Sequence, residues 1–188
     1  MLYLASASPR RSELLTQLGI TYQVVVTDVP EIRAADETAL AYGYRVSLAK
    51  AEAASKGLPE SAWVLSADTE VIVMDDETLG KPKDKAHFMH MMRRLSGQTH
   101  AVQTVICLKH RHHCWQNHQL SLITFRSLGD QELEAYWLSG EPEGKAGGYA
   151  IQGRAQAWIS QFQGSYSGVM GLPLYETEQL LTLAGYSA

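Results

Sequence analysis

A short apolar segment at the start of the chain leads almost directly into a helix. Residues 2–5 are apolar and have the length of a buried strand, and residues 6–8 are all small. Ser8 is a preferred residue just before a helix, and Pro9 suits the first helical position, where its missing N–H has no partner to lose. A strand, a tight turn and a helix are therefore predicted here, and such units build α/β folds.

The same turn carries two adjacent guanidinium groups, Arg10 and Arg11. Backbone N–H groups at a helix N-terminus attract anions, and arginine binds phosphate through paired hydrogen bonds. Two solvated arginines on an ordinary helix are the alternative, because neighbouring charges usually face water. The preceding strand and the downstream pattern favour the anion site.

Length and composition describe an ordinary globular protein. With 188 residues, of which 45% are hydrophobic and 19% charged, a single domain over residues 1–188 is expected. The net charge of −4 argues against a broad basic surface for nucleic acid. The N-terminus lacks the pattern of a signal peptide, and no apolar run approaches the roughly 18 residues of a membrane span. A cytoplasmic location without membrane attachment is the default expectation.

The strongest single candidate for a functional residue is Asp68. It lies in the apolar stretch 63–74, where an unpaired carboxylate is unfavourable unless it is hydrogen-bonded, ion-paired or bound to metal. A strand bend in which Asp68 caps local N–H groups is the alternative. Glu31, in the polar segment 27–36, is a weaker candidate, since a loop carboxylate is usually only solvated.

Further cations and small residues accompany this acid. Lys50 lies next to the apolar stripe of a predicted helix over residues 39–56, a position from which lysine often extends to water. Lys81 stands between a glycine and a proline. The segment 144–153 combines Lys145 and Gln152 with four glycines, which permits unusual backbone angles or close approach to a ligand.

The remaining elements are predicted from periodicity and breakers. Strands are expected over residues 20–26, 101–108, 119–125 and 157–163, and helices over 84–95, 127–138 and after Pro173. Residues 110–118, which hold four histidines and Cys114, are interpreted as a solvated hairpin tip, since their spacing does not match a zinc site. Residues 164–171 are interpreted as a small-residue loop.

Cations outnumber carboxylates among these candidates, a balance that suits a polyphosphate. Asp68, with Glu31 or Glu70, suits a hard divalent cation such as Mg²⁺, which binds one or two carboxylates plus phosphate oxygens. A water activated by Asp68 would then attack phosphorus. This chemistry requires Asp68 to lie on the same side of the sheet as the arginine turn.

Five segments in this order resemble the Maf family of nucleoside triphosphate pyrophosphatases. They are residues 6–15 (SASPRRSELL), 67–69 (ADT), 80–82 (GKP), 145–153 (KAGGYAIQG) and 171–174 (GLPL). The resemblance implies an α/β fold with a mixed, elongated, curved sheet flanked by helices and a cleft between two lobes. It also implies hydrolysis between the α- and β-phosphates of a nucleoside triphosphate with a divalent metal, Mg²⁺ or Mn²⁺, and a homodimer.

The resemblance carries roles over to residues of this sequence. Asp68 matches the proton acceptor and a metal ligand, with Glu31 assisting at the metal. The substrate-binding positions are Ser8, Arg10, Arg11, Lys50, Thr69, Lys81 and Gln152. Within this set, Arg10, Thr69 and Gln152 match the subgroup that acts on dTTP and UTP, whereas the subgroup that acts on 7-methyl-GTP has tryptophan in place of Arg10.

Three other functions stay open at this point. The first is a pyrophosphatase for modified purine nucleotides such as 7-methyl-GTP. The second is a nucleotide-sensing module in cell division, although sensing alone does not require Asp68 together with Lys81. The third, binding of single-stranded RNA, is disfavoured by the net charge and by the lack of a basic strand carrying aromatic residues.

Overall fold

In the computed structural model, which describes residues 1–187 apart from the side chain of Asp75, seven strands form one sheet. The strands are β1 (Leu2–Ala5), β2 (Tyr22–Val24), β3 (Trp63–Ile72), β4 (Thr78–Leu79), β5 (Thr99–His110), β6 (His113–Phe125) and β7 (Ile159–Gln163). Their order is β2-β1-β3-β5-β6-β7, with β4 paired to β3. β1 is parallel to β2 and β3, and the other pairs are antiparallel. The predicted mixed α/β sheet is confirmed.

Helices cover both sides of this sheet. They are α1 (Pro9–Gln17), α2 (Ala39–Ser55), α3 (Lys85–Leu95), α4 (Asp130–Leu138), α5 (Tyr166–Met170) and α6 (Leu174–Ala184). α2 packs its alanines, Ala51 and Ala54, against Val64 and Cys107. We call this the α2 side of the sheet and the opposite one the α1 side. No helix within residues 1–187 is long and apolar enough to span a membrane.

Two apolar clusters occupy the α1 side and leave a polar row between them. The first joins α1 and α6 to Leu65 and Ala67 of β3, and the second joins α3 and α4 to Val71. Because side chains alternate along a strand, Thr69 lies between the clusters on the same side. Its partner in the register is Thr104 of β5, which is fully buried. This row is where a cleft can form without breaking either cluster.

β3 extends beyond the end of β1, which leaves a notch in the sheet. The last pair between these strands is Ala5 with Ser66, and β4 begins to pair only at Val71. Among the described residues, no strand pairs with β3 on this side over residues 67–70, a stretch we call the notch. The chain leaves β1 at this point and enters α1, so the small-residue turn lies beside the notch.

Three expectations about local structure are wrong. β6 begins at His113, so residues 110–118 are mostly strand and the turn is confined to Arg111 and His112. β2 covers Tyr22–Val24 only, and Val26 is exposed. Residues 164–171 contain the short helix α5 rather than a loop; Ser165 caps it by accepting a hydrogen bond from the N–H of Gly168.

Candidate active site

A cavity of about 730 Å³ opens at the notch, within the size range of small-molecule sites. It is lined by all nine residues to which the family resemblance gives a role, and these come from six separate parts of the chain. They are Ser8, Arg10, Arg11, Glu31, Lys50, Asp68, Thr69, Lys81 and Gln152. The predicted constellation is therefore assembled in one place.

Lys50 is the centre of the charged end of the cavity. Its Nζ lies 2.6 Å from Asp68 Oδ1 and 2.7 Å from Glu31 Oε1, so one ammonium group bridges two carboxylates. Lys81 Nζ approaches Glu31 Oε2 from the solvent side at 3.7 Å. Burial by itself raises the pKa of Glu31, but the hydrogen bond and charge of Lys50, with Lys81 and Arg11 nearby, lower it overall. Glu31 is thus held as a carboxylate.

Asp68 and Thr69 leave β3 toward opposite sides of the sheet. Asp68 contacts Lys50 of α2, and Thr69 contacts Arg11 of α1. The expectation that Asp68 shares a side with the arginine turn is therefore wrong, because side chains alternate along the continuous strand β3. Both residues nevertheless line the same cavity as Arg10 and Arg11, because no strand within residues 1–187 closes the edge of β3 at the notch. The chemistry therefore requires a shared cavity and not a shared side of the sheet.

Arg11 is fixed in place by three protein groups. Its Nε donates to Gly171 O at 2.8 Å, Nη1 to Ser6 Oγ at 3.3 Å, and Nη2 to Thr69 Oγ1 at 3.1 Å. Burial lowers its pKa, and the charge of Asp68 counteracts this, so the two groups interact across the notch. A guanidinium oriented in this way presents its remaining N–H groups to the cavity at no further entropic loss.

The other predicted binding residues are held more loosely. Among the described residues, no hydrogen bond fixes the side chains of Arg10 or Gln152. The side chain of Ser8 makes no capping bond, although Ser8 does precede α1 as predicted. Burial lowers the pKa of Lys145, and the neighbouring charge of Arg10 lowers it further. An anion placed between these two cations would relieve their repulsion.

The opposite end of the cavity is apolar. It lies on the α1 side, next to Thr69, and is lined by Val71, Val102, Tyr149, Ile151, Val169 and Met170. Gly147 allows the glycine-rich segment to approach this wall, since its φ is +70° and a Cβ there would lie 2.6 Å from a methyl group of Val71. A flat, apolar ligand group fits this end better than a charged one does.

Sequence reasoning missed three groups that hold the site together: the hydroxyls of Ser6 and Thr104 and the carbonyl of Gly171. Ser6 belongs to a segment that the sequence did single out, whereas Thr104 carries no local signal. Glu70, named as an alternative metal ligand, does not line the cavity. Burial, followed by the charge of Asp68, raises its pKa to about 8, so it is mainly uncharged at neutral pH.

The carboxylates of the cavity would fit a divalent metal ion only if other ligands, such as phosphate oxygens, completed its coordination. Among the described residues, no three His, Cys, Asp or Glu side chains are grouped to hold a metal by themselves. Asp68 and Glu31 can supply two carboxylates, which is the usual protein contribution to a Mg²⁺ site completed by phosphate oxygens.

A family model and curated relatives match the chain over nearly its whole length. The family model described as Maf-like protein matches residues 1–184. The chain belongs to the Maf family. A protein of Xanthomonas euvesicatoria pv. vesicatoria named dTTP/UTP pyrophosphatase is 50% identical to this Maf chain over 193 residues, covering 98% of this chain and 99% of its own length. A protein of Methylococcus capsulatus with the same name is 46% identical over 184 residues, covering 98% of this chain and 91% of its own length.

Among solved structures, the Staphylococcus aureus Ham1 protein aligns with a TM-score of 0.49 and 16% identity, covering 66% of this chain and 71% of that one.

Proposed function

We propose that this Maf protein hydrolyses dTTP and UTP between the α- and β-phosphates, giving the nucleoside monophosphate and pyrophosphate. The observation that carries the proposal is the division of one cavity into a charged end around Asp68 and an apolar end beyond Thr69. A nucleotide has the same division, with a flat base at one end and a polyphosphate at the other. The names of the relatives support dTTP and UTP as substrates.

The division also explains why Asp68 and Thr69 diverge. A nucleotide that passes through the notch places its base on the α1 side and its phosphates toward the α2 side. Arg10 and Arg11 then lie between the two ends, beside the turn at the start of α1. Neighbouring residues on one strand can serve the two ends of a single ligand only because no strand closes the edge of β3 there.

In the proposed reaction, Asp68 is the general base. Lys50 contacts Oδ1, so Oδ2 is the oxygen that accepts a proton from water. The water oxygen forms a bond to the α-phosphorus, and the bond from that phosphorus to the bridging oxygen breaks, releasing pyrophosphate. Arg10, Arg11 and Lys81 neutralise the charge that develops on the phosphate oxygens.

We further propose that Asp68 and Glu31 hold a divalent cation, Mg²⁺ or Mn²⁺, together with the phosphates. Such an ion supplies charge neutralisation and lowers the pKa of a bound water. The role of the protein residues is to orient it: Lys50 already holds both carboxylates within 2.7 Å of one atom, so they are close together before the ion binds.

Product analysis tests the proposal. The purified chain is incubated with UTP, dTTP and 7-methyl-GTP in the presence of Mg²⁺ or Mn²⁺, and the products are separated by anion-exchange chromatography. UMP and pyrophosphate are expected from UTP. UDP and orthophosphate, or preference for 7-methyl-GTP, would contradict the proposal. Tight binding of UTP without turnover would instead indicate a nucleotide sensor.

A further inference from the structure

Two hydrogen bonds connect Thr69, on the cavity wall, to the backbone behind it. Thr69 Oγ1 lies 2.8 Å from Thr104 Oγ1, and Thr104 Oγ1 donates to Gly168 O at 2.7 Å. Thr104 is fully buried in the polar row between the two apolar clusters. Gly168 O also accepts the N–H of Gly171 at 3.0 Å, so both of its lone pairs are engaged.

The direction of this chain follows from its ends. A carbonyl oxygen only accepts, so the single proton of the Thr104 hydroxyl goes to Gly168 O. An arginine only donates, so Arg11 Nη2, at 3.1 Å, takes one lone pair of Thr69. Thr69 must therefore donate its own proton to Thr104. What remains on the Thr69 hydroxyl is one lone pair, and Thr69 lines the cavity.

We infer that Thr104 makes Thr69 an acceptor-only contact, and that this contact selects uracil and thymine over cytosine. The inference rests on the proposed function, which places the base at the apolar end beside Thr69. N3 of uracil and thymine carries a hydrogen, whereas N3 of cytosine carries a lone pair. Two opposed lone pairs in a partly desolvated cavity leave both groups without a partner, which is unfavourable.

Thr104 acts in this scheme as a positioning residue, because it touches Thr69 and not the ligand. A purely structural Thr104 would be needed equally for every nucleotide. A Thr104 that fixes the direction of the Thr69 hydroxyl affects uracil and cytosine differently. The ratio of kcat/KM for UTP to kcat/KM for CTP separates the two roles, since a general loss of folded protein cancels from it.

The test measures this ratio for the wild type and for Thr104→Val and Thr104→Ser. We expect the wild type to prefer UTP by roughly tenfold or more, the effect of one unpaired polar group. Thr104→Val frees the proton of Thr69 to turn toward the ligand, so the preference should shrink by roughly the same factor. Thr104→Ser keeps the hydroxyl and should keep the preference. Thr99→Val is the matched control, because Thr99 lies on β5 like Thr104 and the change breaks a 2.8 Å threonine pair with Thr124 of β6 at an exposed position.

Each outcome decides the matter. A wild type that hydrolyses CTP as readily as UTP overturns the inference without any variant, and so does a folded Thr104→Val with an unchanged ratio. If Thr104→Val does not fold, Thr69→Val serves instead, and retention of the preference there is equally contrary. Failure of the proposed function is a separate result, seen as the absence of pyrophosphate from any nucleotide; the relative affinities for UMP and CMP, measured by calorimetry, would then still test the inference.

Discussion

Lys50 Nζ lies 2.6 Å from Asp68 Oδ1, and both side chains are almost fully buried. The same ammonium group also contacts Glu31, so a single cation holds the two carboxylates that face the cavity. Breaking a buried ion pair leaves an unpaired charge, whose desolvation is no longer offset. The stability of this part of the fold and the close approach of the two carboxylates therefore both depend on Lys50.

Replacing Lys50 by methionine should lower the free energy of unfolding by about 2 kcal/mol, because the two carboxylates then repel each other without the ammonium group that bridges them. Added Mg²⁺ should recover part of this loss, since the ion takes the position between the two acids. Thermal melts with and without Mg²⁺ measure both effects. Lys85→Met is the control, because Lys85 pairs with Glu134 at an exposed position. Equal melting temperatures for Lys50→Met and the wild type would contradict the bridging role.

Arg11 and Arg10 are adjacent in sequence but should respond differently to replacement by lysine. Lysine cannot reproduce the three directed bonds of Arg11, so Arg11→Lys should lose about 2 kcal/mol of stability as well as activity. Arg10→Lys should leave stability within about 0.5 kcal/mol of wild type while raising KM for UTP. Urea denaturation measures the stability of each variant, and initial rates measure its KM and kcat. A loss of stability in Arg10→Lys but not in Arg11→Lys would contradict these assignments.

Gly147 and Gly144 provide a matched pair in the glycine-rich segment, with φ angles of +70° and +69°. Alanine at either position adopts a strained conformation, but only at Gly147 would the new Cβ collide with Val71, whereas Gly144 has open space around it. We expect Gly147→Ala to be less stable than Gly144→Ala by about 1–3 kcal/mol. Equal melting temperatures of the two variants would show that Val71 moves away from the added Cβ at little energetic cost.

His100 should make stability depend on pH. It is buried, its Nε2 lies 2.7 Å from the hydroxyl of Tyr149, and burial lowers its pKa to about 4. In the unfolded chain the His100 side chain binds a proton near the ordinary histidine pKa of about 6.5. The contribution of His100 to the free energy of unfolding therefore falls by about 1.4 kcal/mol per pH unit as the pH decreases from about 6.5 toward 4. His100→Gln removes this contribution. Its unfolding free energy, measured in urea, should therefore approach that of wild type, or exceed it, as the pH falls; parallel curves would contradict the assignment.

Local signals in short segments, together with the family resemblance, name residues that the structure brings to one cavity. Pro9 after three small residues marks the turn, and Asp68 is conspicuous within an apolar strand. Thr104 could not be found in this way. Its importance comes from the register that sets it opposite Thr69 and from the carbonyl of Gly168. Contacts that depend on pairing between distant strands leave no periodic trace in either strand.

The errors in the fold have related causes. The first residues of β6, from His113 to His118, are mostly polar and suggest a hairpin tip, but their backbone pairs with the buried strand β5, which supplies the hydrophobic surface. The opposite orientations of Asp68 and Thr69 do follow from strand alternation. What sequence could not supply is the notch, because it depends on where β1 ends relative to β3.

The most direct test of the proposed site is the turnover of UTP by Asp68→Asn. The change keeps the size of the side chain and removes the base, so kcat should fall by at least about a hundredfold. In the absence of divalent metal, the affinity for a UTP analogue with a methylene bridge between its α- and β-phosphates should stay equal or rise, because one negative charge fewer faces the phosphates. Asp130→Asn, at an exposed ion pair with Arg93, should retain wild-type kcat. A kcat for Asp68→Asn within about threefold of wild type would contradict the role of Asp68 as the general base.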